Sequence, residues 1–120
     1  LYSGRPMAFV NLGLSRLQLD ERKDAEAAFT RALSMDRRNS VALLEMGFLR
    51  LEAGDTGEAA RYYDDYRATA PTQSARGLLL GLEIASATGE SDTVGSYELA
   101  LRSLYPDSSE YRLWVERQSR

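Results

Sequence analysis

Apolar residues return every three to four positions along most of this chain. Val10, Gly13, Leu14 and Leu17 form the first such stripe. That period is the one that places side chains on a single face of a helix. It predicts helices over about 5–18, 22–35, 39–53, 56–70, 74–88 and 91–104. Nothing alternates at period two for long enough to make a strand. Boundary residues agree with these spans. Pro6 suits a first helical turn, where a missing N–H costs nothing. Gly54 and Gly89 suit helix-terminating positions. Asp55 with Glu58 forms a capping pair for the helix that follows.

The pattern also repeats at long range. Gly13, Gly47 and Gly81 recur at one constant interval. So do Ala25, Ala59 and Thr93, and so do Phe29, Tyr63 and Tyr97. Leu12, Met46 and Leu80 precede the three glycines, and Phe9, Leu43 and Gly77 sit four before them. Pro71 and Pro106 close the second and third units. Self-similarity at a fixed interval of about 34 residues is the mark of a helical repeat array. Each unit reads as two helices, the units covering about 6–39, 40–73 and 74–107.

A glycine inside a helix costs about 1 kcal/mol against alanine. It is tolerated where a second helix approaches closely. Ala25, Ala32, Ala59 and Ala100 are expected to face the glycine column, with Phe29, Tyr63 and Tyr97 beside them. A pair packed this way buries one face of each helix, so the next unit must cover the rest. After Pro106 the stretch DSSEYRLWVERQSR predicts a capping helix over about 108–118. Asp107 and Glu110 are its expected caps. Tyr111, Trp114 and Val115 are its apolar stripe, with Trp114 packed on the third unit. Glu116, Arg117 and Gln118 are expected to face water.

Composition removes several function classes. The chain has 120 residues, no cysteine and no histidine. Thiolate or imidazole metal sites and catalysis by Cys/His or Ser/His pairs are therefore impossible within it. No cofactor is expected. The net charge of -3 lacks the basic footprint of a nucleic-acid binder, and Arg37-Arg38 reads as a solvated loop. The apolar stretch LLLGLEIASATG (78–89) is shorter than the roughly 20 residues of a membrane helix. It also lacks the GK[ST] and the preceding strand of a phosphate loop. Adjacent Asp64 and Asp65 diverge on a helix and do not converge on one atom. Tyr62, Tyr63 and Tyr66 read as packing. No nucleophile–base pair is present, so the chain is not expected to be an enzyme. It begins at Leu1 without a signal peptide, and is expected to be a piece of a longer protein.

A two-helix unit of this length resembles the tetratricopeptide repeat (TPR). Leu12-Gly13, Ala25, Phe29 and Ala32 carry the likeness in unit one. Met46-Gly47, Ala59, Tyr63 and Pro71 carry it in unit two, and Leu80-Gly81, Tyr97 and Ala100 in unit three. Arg16 and Arg50 depart from it, standing where that repeat often has an aromatic residue, and Tyr66 replaces a small one. The implied fold is all-α: a superhelix of three repeats with a C-terminal capping helix. A narrower resemblance lies in ALLEMGFLRLEAGD, ARYYDDY, SARGLLLGLEIA and DTVGSYELALRSLYPDSSEY. These are similar to the last repeats of the type IV pilus biogenesis lipoproteins, the PilF/PilW pilotin family. That resemblance implies an outer-membrane lipoprotein on the periplasmic side, anchored through a lipid-bearing cysteine upstream of this soluble stretch. It also implies a role in helping the pilus secretin localise and multimerise. A generic TPR adaptor of another complex is the alternative.

In TPR arrays the first helix of each repeat lines the concave side. Helical phase puts Met7, Val10, Asn11, Leu14 and Leu17 there in unit one. Unit two adds Val41, Leu44, Glu45, Phe48, Leu51 and Glu52, and unit three Leu78, Leu82 and Ser86. The Lys/Asn/Arg set by which chaperone-adaptor TPRs clamp a terminal carboxylate is missing, only Asn11 resembling it. An amphipathic helix or extended strand bound by apolar contact is the expected partner. The competing reading is that the chain covers this face itself.

Overall fold

A computed structural model describes residues 5–119 of the chain. These form seven helices: α1 (Arg5–Gln18), α2 (Arg22–Met35), α3 (Ser40–Glu52), α4 (Thr56–Thr69), α5 (Ala75–Ala87), α6 (Ser91–Leu104) and α7 (Ser109–Gln118). The fold is an all-α helical repeat. It divides into two compact units, Leu1–Ala70 and Pro71–Arg120. In the first, α1 packs on α2, α2 on α3, and α3 on α4. In the second, α5 packs on both α6 and α7.

Two kinds of turn alternate. After α1, α3 and α5 the chain closes the same hydrogen-bonded loop. The N–H groups of Glu21, Asp55 and Glu90 donate to the carbonyls of Arg16, Arg50 and Ala85, at 2.8, 2.9 and 3.0 Å. The N–H groups of Asp20, Gly54 and Gly89 donate to those of Leu17, Leu51 and Ser86. This is the Schellman pairing, which needs one residue in the left-handed region. Gly54 and Gly89 fill that place with φ of +85° and +74°, and Asp20 fills it with φ of 58°. The sequence pattern marks the two glycines and misses Asp20. Aspartate is among the few side chains that tolerate this backbone.

After α2, α4 and α6 the chain instead re-enters a helix through a side-chain cap. Asn39 Oδ1 accepts from the Ala42 N–H at 2.9 Å. Ser74 Oγ accepts from Gly77 and Ser108 Oγ from Tyr111, both at 3.1 Å. Ser108 is therefore the cap of α7, not the expected Asp107 or Glu110. Its hydroxyl is short enough to fold back on the third N–H from an extended backbone. The Asp107 carbonyl accepts from Arg112 at 2.9 Å. Asp55 caps α4 as expected, accepting from the Glu58 N–H at 3.1 Å.

The first unit's core holds Val10, Ala25, Phe29, Ala32, Ala42, Met46 and Leu49. Gly13 faces the Phe29 ring so closely that a Cβ there would lie 2.6 Å from Cε1. Tyr63 and Tyr66 are buried in α4 with their rings 6.1 Å apart. In the second unit Leu78, Leu79, Leu80, Leu82 and Ala85 of α5 are out of solvent. Trp114 is 4% exposed, and its indole N–H donates to Glu98 of α6 at 2.6 Å. Arg117 pairs with Glu83 of α5 rather than simply facing water, and Val115 of the expected stripe is exposed. The Tyr105 hydroxyl donates to the Gln73 carbonyl at 2.7 Å, tying the turn before α7 to the turn before α5.

Three glycine substitutions test these turn and packing assignments. Gly54→Ala meets open space, so its cost is backbone alone. Urea unfolding should show a loss of about 1–2 kcal/mol, and an unchanged midpoint would refute the assigned turn. Gly13→Ala should cost about 1–3 kcal/mol through overpacking against Phe29. The same change at exposed Gly95, which also meets open space, should stabilise by up to about 1 kcal/mol.

Candidate partner-binding face

The first helices, α1, α3 and α5, present different amounts of their expected face to solvent. Met7 and Val41 hold the same place in successive repeats. Both are open, at 47% and 39% exposure. Asn11 and Glu52 are exposed, while Leu14, Leu17 and Leu51 are half-buried. Val10 is a member of the α1–α2 core and is withdrawn from solvent. Leu44, Glu45 and Phe48 of α3 are buried, Phe48 at 7% exposure. In the second unit Leu78 and Leu82 are buried and Ser86 is exposed.

The phase that selected the buried residues is sound for a helix with one dry face. It fails for α3 and α5, which are apolar over most of their circumference. All eight residues from Ala42 to Leu49 are buried, as are the six from Gly77 to Leu82. A helix dry nearly all round cannot be divided into core and binding faces by periodicity. Within the first unit, the accessible part of the expected face is the Met7/Val41 column with Asn11 and Glu52, and with Leu14, Leu17 and Leu51 at partial exposure.

Charged side chains tie the helices of this unit together. Arg50 of α3 reaches back to the Glu26 carboxylate of α2. Arg16 of α1, the equivalent residue one repeat earlier, pairs with Glu21 at 3.0 Å. Arg22 meets Glu52 at 3.2 Å. Open cavities lie near these pairs. One of about 330 Å³ is lined by Phe9, Leu12, Arg16, Asp24, Ala27 and Ala28. Another of about 590 Å³ lies beside Lys23, Glu26 and Arg50. Neither brings a nucleophile to a base. Among the described residues no group of His, Cys, Asp or Glu could hold a metal ion. No helix among them is long and apolar enough to cross a membrane. The exposed apolar residues Leu12, Leu19, Leu99, Leu104 and Leu113 escape the expected site. Exposure depends on which neighbour a helix meets, and periodicity carries no record of that.

Comparison with known proteins resolves the lineage. The type IV pilus assembly protein PilF of Pseudomonas aeruginosa is 38% identical over 112 residues, 93% of this chain. The chain is a homologue of PilF. The match spans 44% of PilF's own length. A solved structure from a functional characterisation of Pseudomonas aeruginosa PilF superposes with a TM-score of 0.83 at 35% identity, over 94% of this chain and 50% of that one. The structure of PilW, described as a widely conserved type IV pilus biogenesis factor, superposes with a TM-score of 0.74 at 28% identity, over 96% and 52%. No family model matches the chain. Its kinship with the pilus biogenesis TPR proteins thus rests on both sequence and fold.

Burial predicts how this PilF homologue tolerates charge on its first helices. Met7→Asp and Val41→Asp should leave stability within about 0.5 kcal/mol, as surface substitutions do. Phe48→Asp buries a carboxylate and should cost several kcal/mol or abolish folding. Thermal unfolding followed by circular dichroism checks the contrast. Equal losses at all three positions would contradict the exposures.

Proposed function

We propose that the chain is part of a non-catalytic scaffold of the type IV pilus machinery, one that holds the outer-membrane secretin while it localises and multimerises. The observation that carries this reading is the agreement with PilF and PilW in sequence and fold together. PilF is named for type IV pilus assembly and PilW for type IV pilus biogenesis. The chemistry of the surface is compatible with holding rather than transforming a partner. The sequence offers neither histidine nor cysteine, and the cavities described above are open. The chain spans about half the length of these relatives, so the full protein's partner set belongs to the proposal. So does its placement on the periplasmic face of the outer membrane through an upstream lipid anchor.

The partner meets the Met7/Val41 column first, because those apolar side chains are the solvent-open part of the expected face. Burial of two such side chains contributes about 1.5–3 kcal/mol each when complete, enough to matter in an interface of ordinary size. A segment with apolar residues on one side, helical or extended, matches that chemistry.

The test uses the full-length protein in its native host. Met7→Asp combined with Val41→Asp should reduce co-purification of the secretin and the yield of its multimer by about tenfold or more, since tenfold is about 1.4 kcal/mol. Circular dichroism should stay unchanged. Full secretin assembly with the folded double variant would overturn the assigned face. Normal assembly after deletion of the whole protein would overturn the secretin role.

A further inference from the structure

Arg37 and Arg38 form the turn between α2 and α3, and Arg38 precedes Val41 by three residues. That interval spans at most about 11 Å of chain, within reach of one docked segment. The equivalent places one repeat earlier and one repeat later hold Ser3-Gly4 and Pro71-Thr72. The arginine pair therefore marks one turn, whereas the Met7/Val41 place is apolar in both repeats of the first unit. Both arginines are exposed. The Arg37 side chain makes no hydrogen bond or ion pair with any described residue. Arg38 donates its backbone N–H to Asp36 Oδ1 at 3.1 Å and its guanidinium to the Ala68 carbonyl of α4 at 3.4 Å. The second contact is long for a hydrogen bond and weak. An open cavity of about 360 Å³ is lined by Arg37, Arg38, Asp65, Ala68 and Thr69. The Thr69 hydroxyl is already donated to the Tyr66 carbonyl at 2.8 Å. Two guanidinium groups against one carboxylate leave this cavity positive in a chain of net charge -3.

We propose that this cavity takes a carboxylate side chain of the segment that docks on Met7 and Val41, and so sets that segment's direction and register. The inference rests on the partner face assigned above and adds the charge that its partner carries. A guanidinium stays charged at any working pH and presents a fork of donors that matches a carboxylate. Arg37 has its donors free for this, and Arg38 can exchange the Ala68 carbonyl for a stronger acceptor. Apolar anchors alone leave a partner able to slide by one repeat or to reverse, since Met7 and Val41 offer the same chemistry. One acid next to one apolar anchor removes that freedom, because complementary charges fix register across an interface. The negative balance of the whole chain works against the acid landing elsewhere. Asp65 opposes the acid within the cavity itself, so its carboxylate lowers the affinity that the two arginines supply.

The experiment measures capture of the secretin from detergent-solubilised outer membranes by the full-length protein. It is run at about 0.1 M and about 1 M salt, between which the screening length falls from about 10 Å to about 3 Å. Unaltered protein should capture less at the higher salt. Arg37→Gln should lower capture at the lower salt by about fivefold, the upper end for an exposed ion pair, and should abolish most of the salt dependence. Asp65→Asn should act in the opposite direction, raising capture by about twofold. Circular dichroism should be unchanged in both variants. Capture that falls with Met7→Asp and Val41→Asp but ignores both cavity variants would overturn this inference and leave the apolar face standing. Reduced capture by Arg37→Gln with its salt dependence intact would also overturn it, since Arg37 would then act otherwise than by pairing with an acid. No capture by the unaltered protein would overturn the secretin reading and this inference together.

Discussion

The close approach of Gly13 to the Phe29 ring is the constraint from which the first unit follows. With no Cβ on one helix and a full aromatic ring on the other, α1 and α2 meet at a distance that excludes water from Val10, Ala25 and Ala32. Interiors are packed like crystals, so there is no slack in which a larger side chain could sit. Once the pair is set at that separation, α3 packs on α2. Ala42, Met46 and Leu49 of α3 complete the same cluster. Local and long-range preferences therefore agree, which is the condition for a sequence to specify one fold.

The turns convert that packing into a repeat. A Schellman loop ends each first helix, and an extended backbone with a side-chain cap begins the next one. Because α7 starts with the same serine cap as α5, it enters the fold as another first helix does. It has no second helix after it among the described residues. Trp114 and the Glu98 carboxylate close that end, with the indole buried and its one donor satisfied, as buried tryptophan requires. The Arg117–Glu83 pair adds a tether to α5.

These features decide which side chains of the first helices stay open to solvent. The first helices of a repeat array carry both the core and the binding surface. In α3 the core takes most of the circumference, Glu45 included. What remains open of the expected apolar face is a narrow column of first-turn side chains in successive repeats, Met7 and Val41, with polar Asn11 and Glu52 exposed. Under the proposed function, a partner read through such a column would be recognised by spacing as much as by chemistry, because the repeat fixes the interval between its side chains. Arg16 and Arg50 both take ion pairs, Arg16 with Glu21 of the turn that follows it and Arg50 with Glu26 of α2. They depart from the aromatic residue common at this place in the repeat, and at Arg50 the substitution replaces apolar contact by an ion pair to the preceding helix.

Much of the architecture was legible in the residues themselves. The seven helices begin and end within one residue of the spans set by the helical period, the capping residues and the glycines. Such signals are local, acting over one helical turn or one hydrogen-bonded loop. The long-range repeat in turn placed Phe29 beside the glycine column but gave Ala25 and Ala32 the place facing it, and at Gly13 the Phe29 ring takes that place. Three things lay beyond the sequence. Asp20 takes the left-handed place that glycine holds in the other two turns, a choice the closing hydrogen bonds enforce. Ser108 caps α7 although acids stand close to it on both sides, because backbone direction decides which oxygen reaches the third N–H. The division of the expected face into exposed Met7 and Val41 and buried Val10, Leu44, Phe48, Leu78 and Leu82 came only from the tertiary structure. Periodicity gives the side of a helix on which a residue lies, while burial depends on whether another part of the chain has come to cover that side.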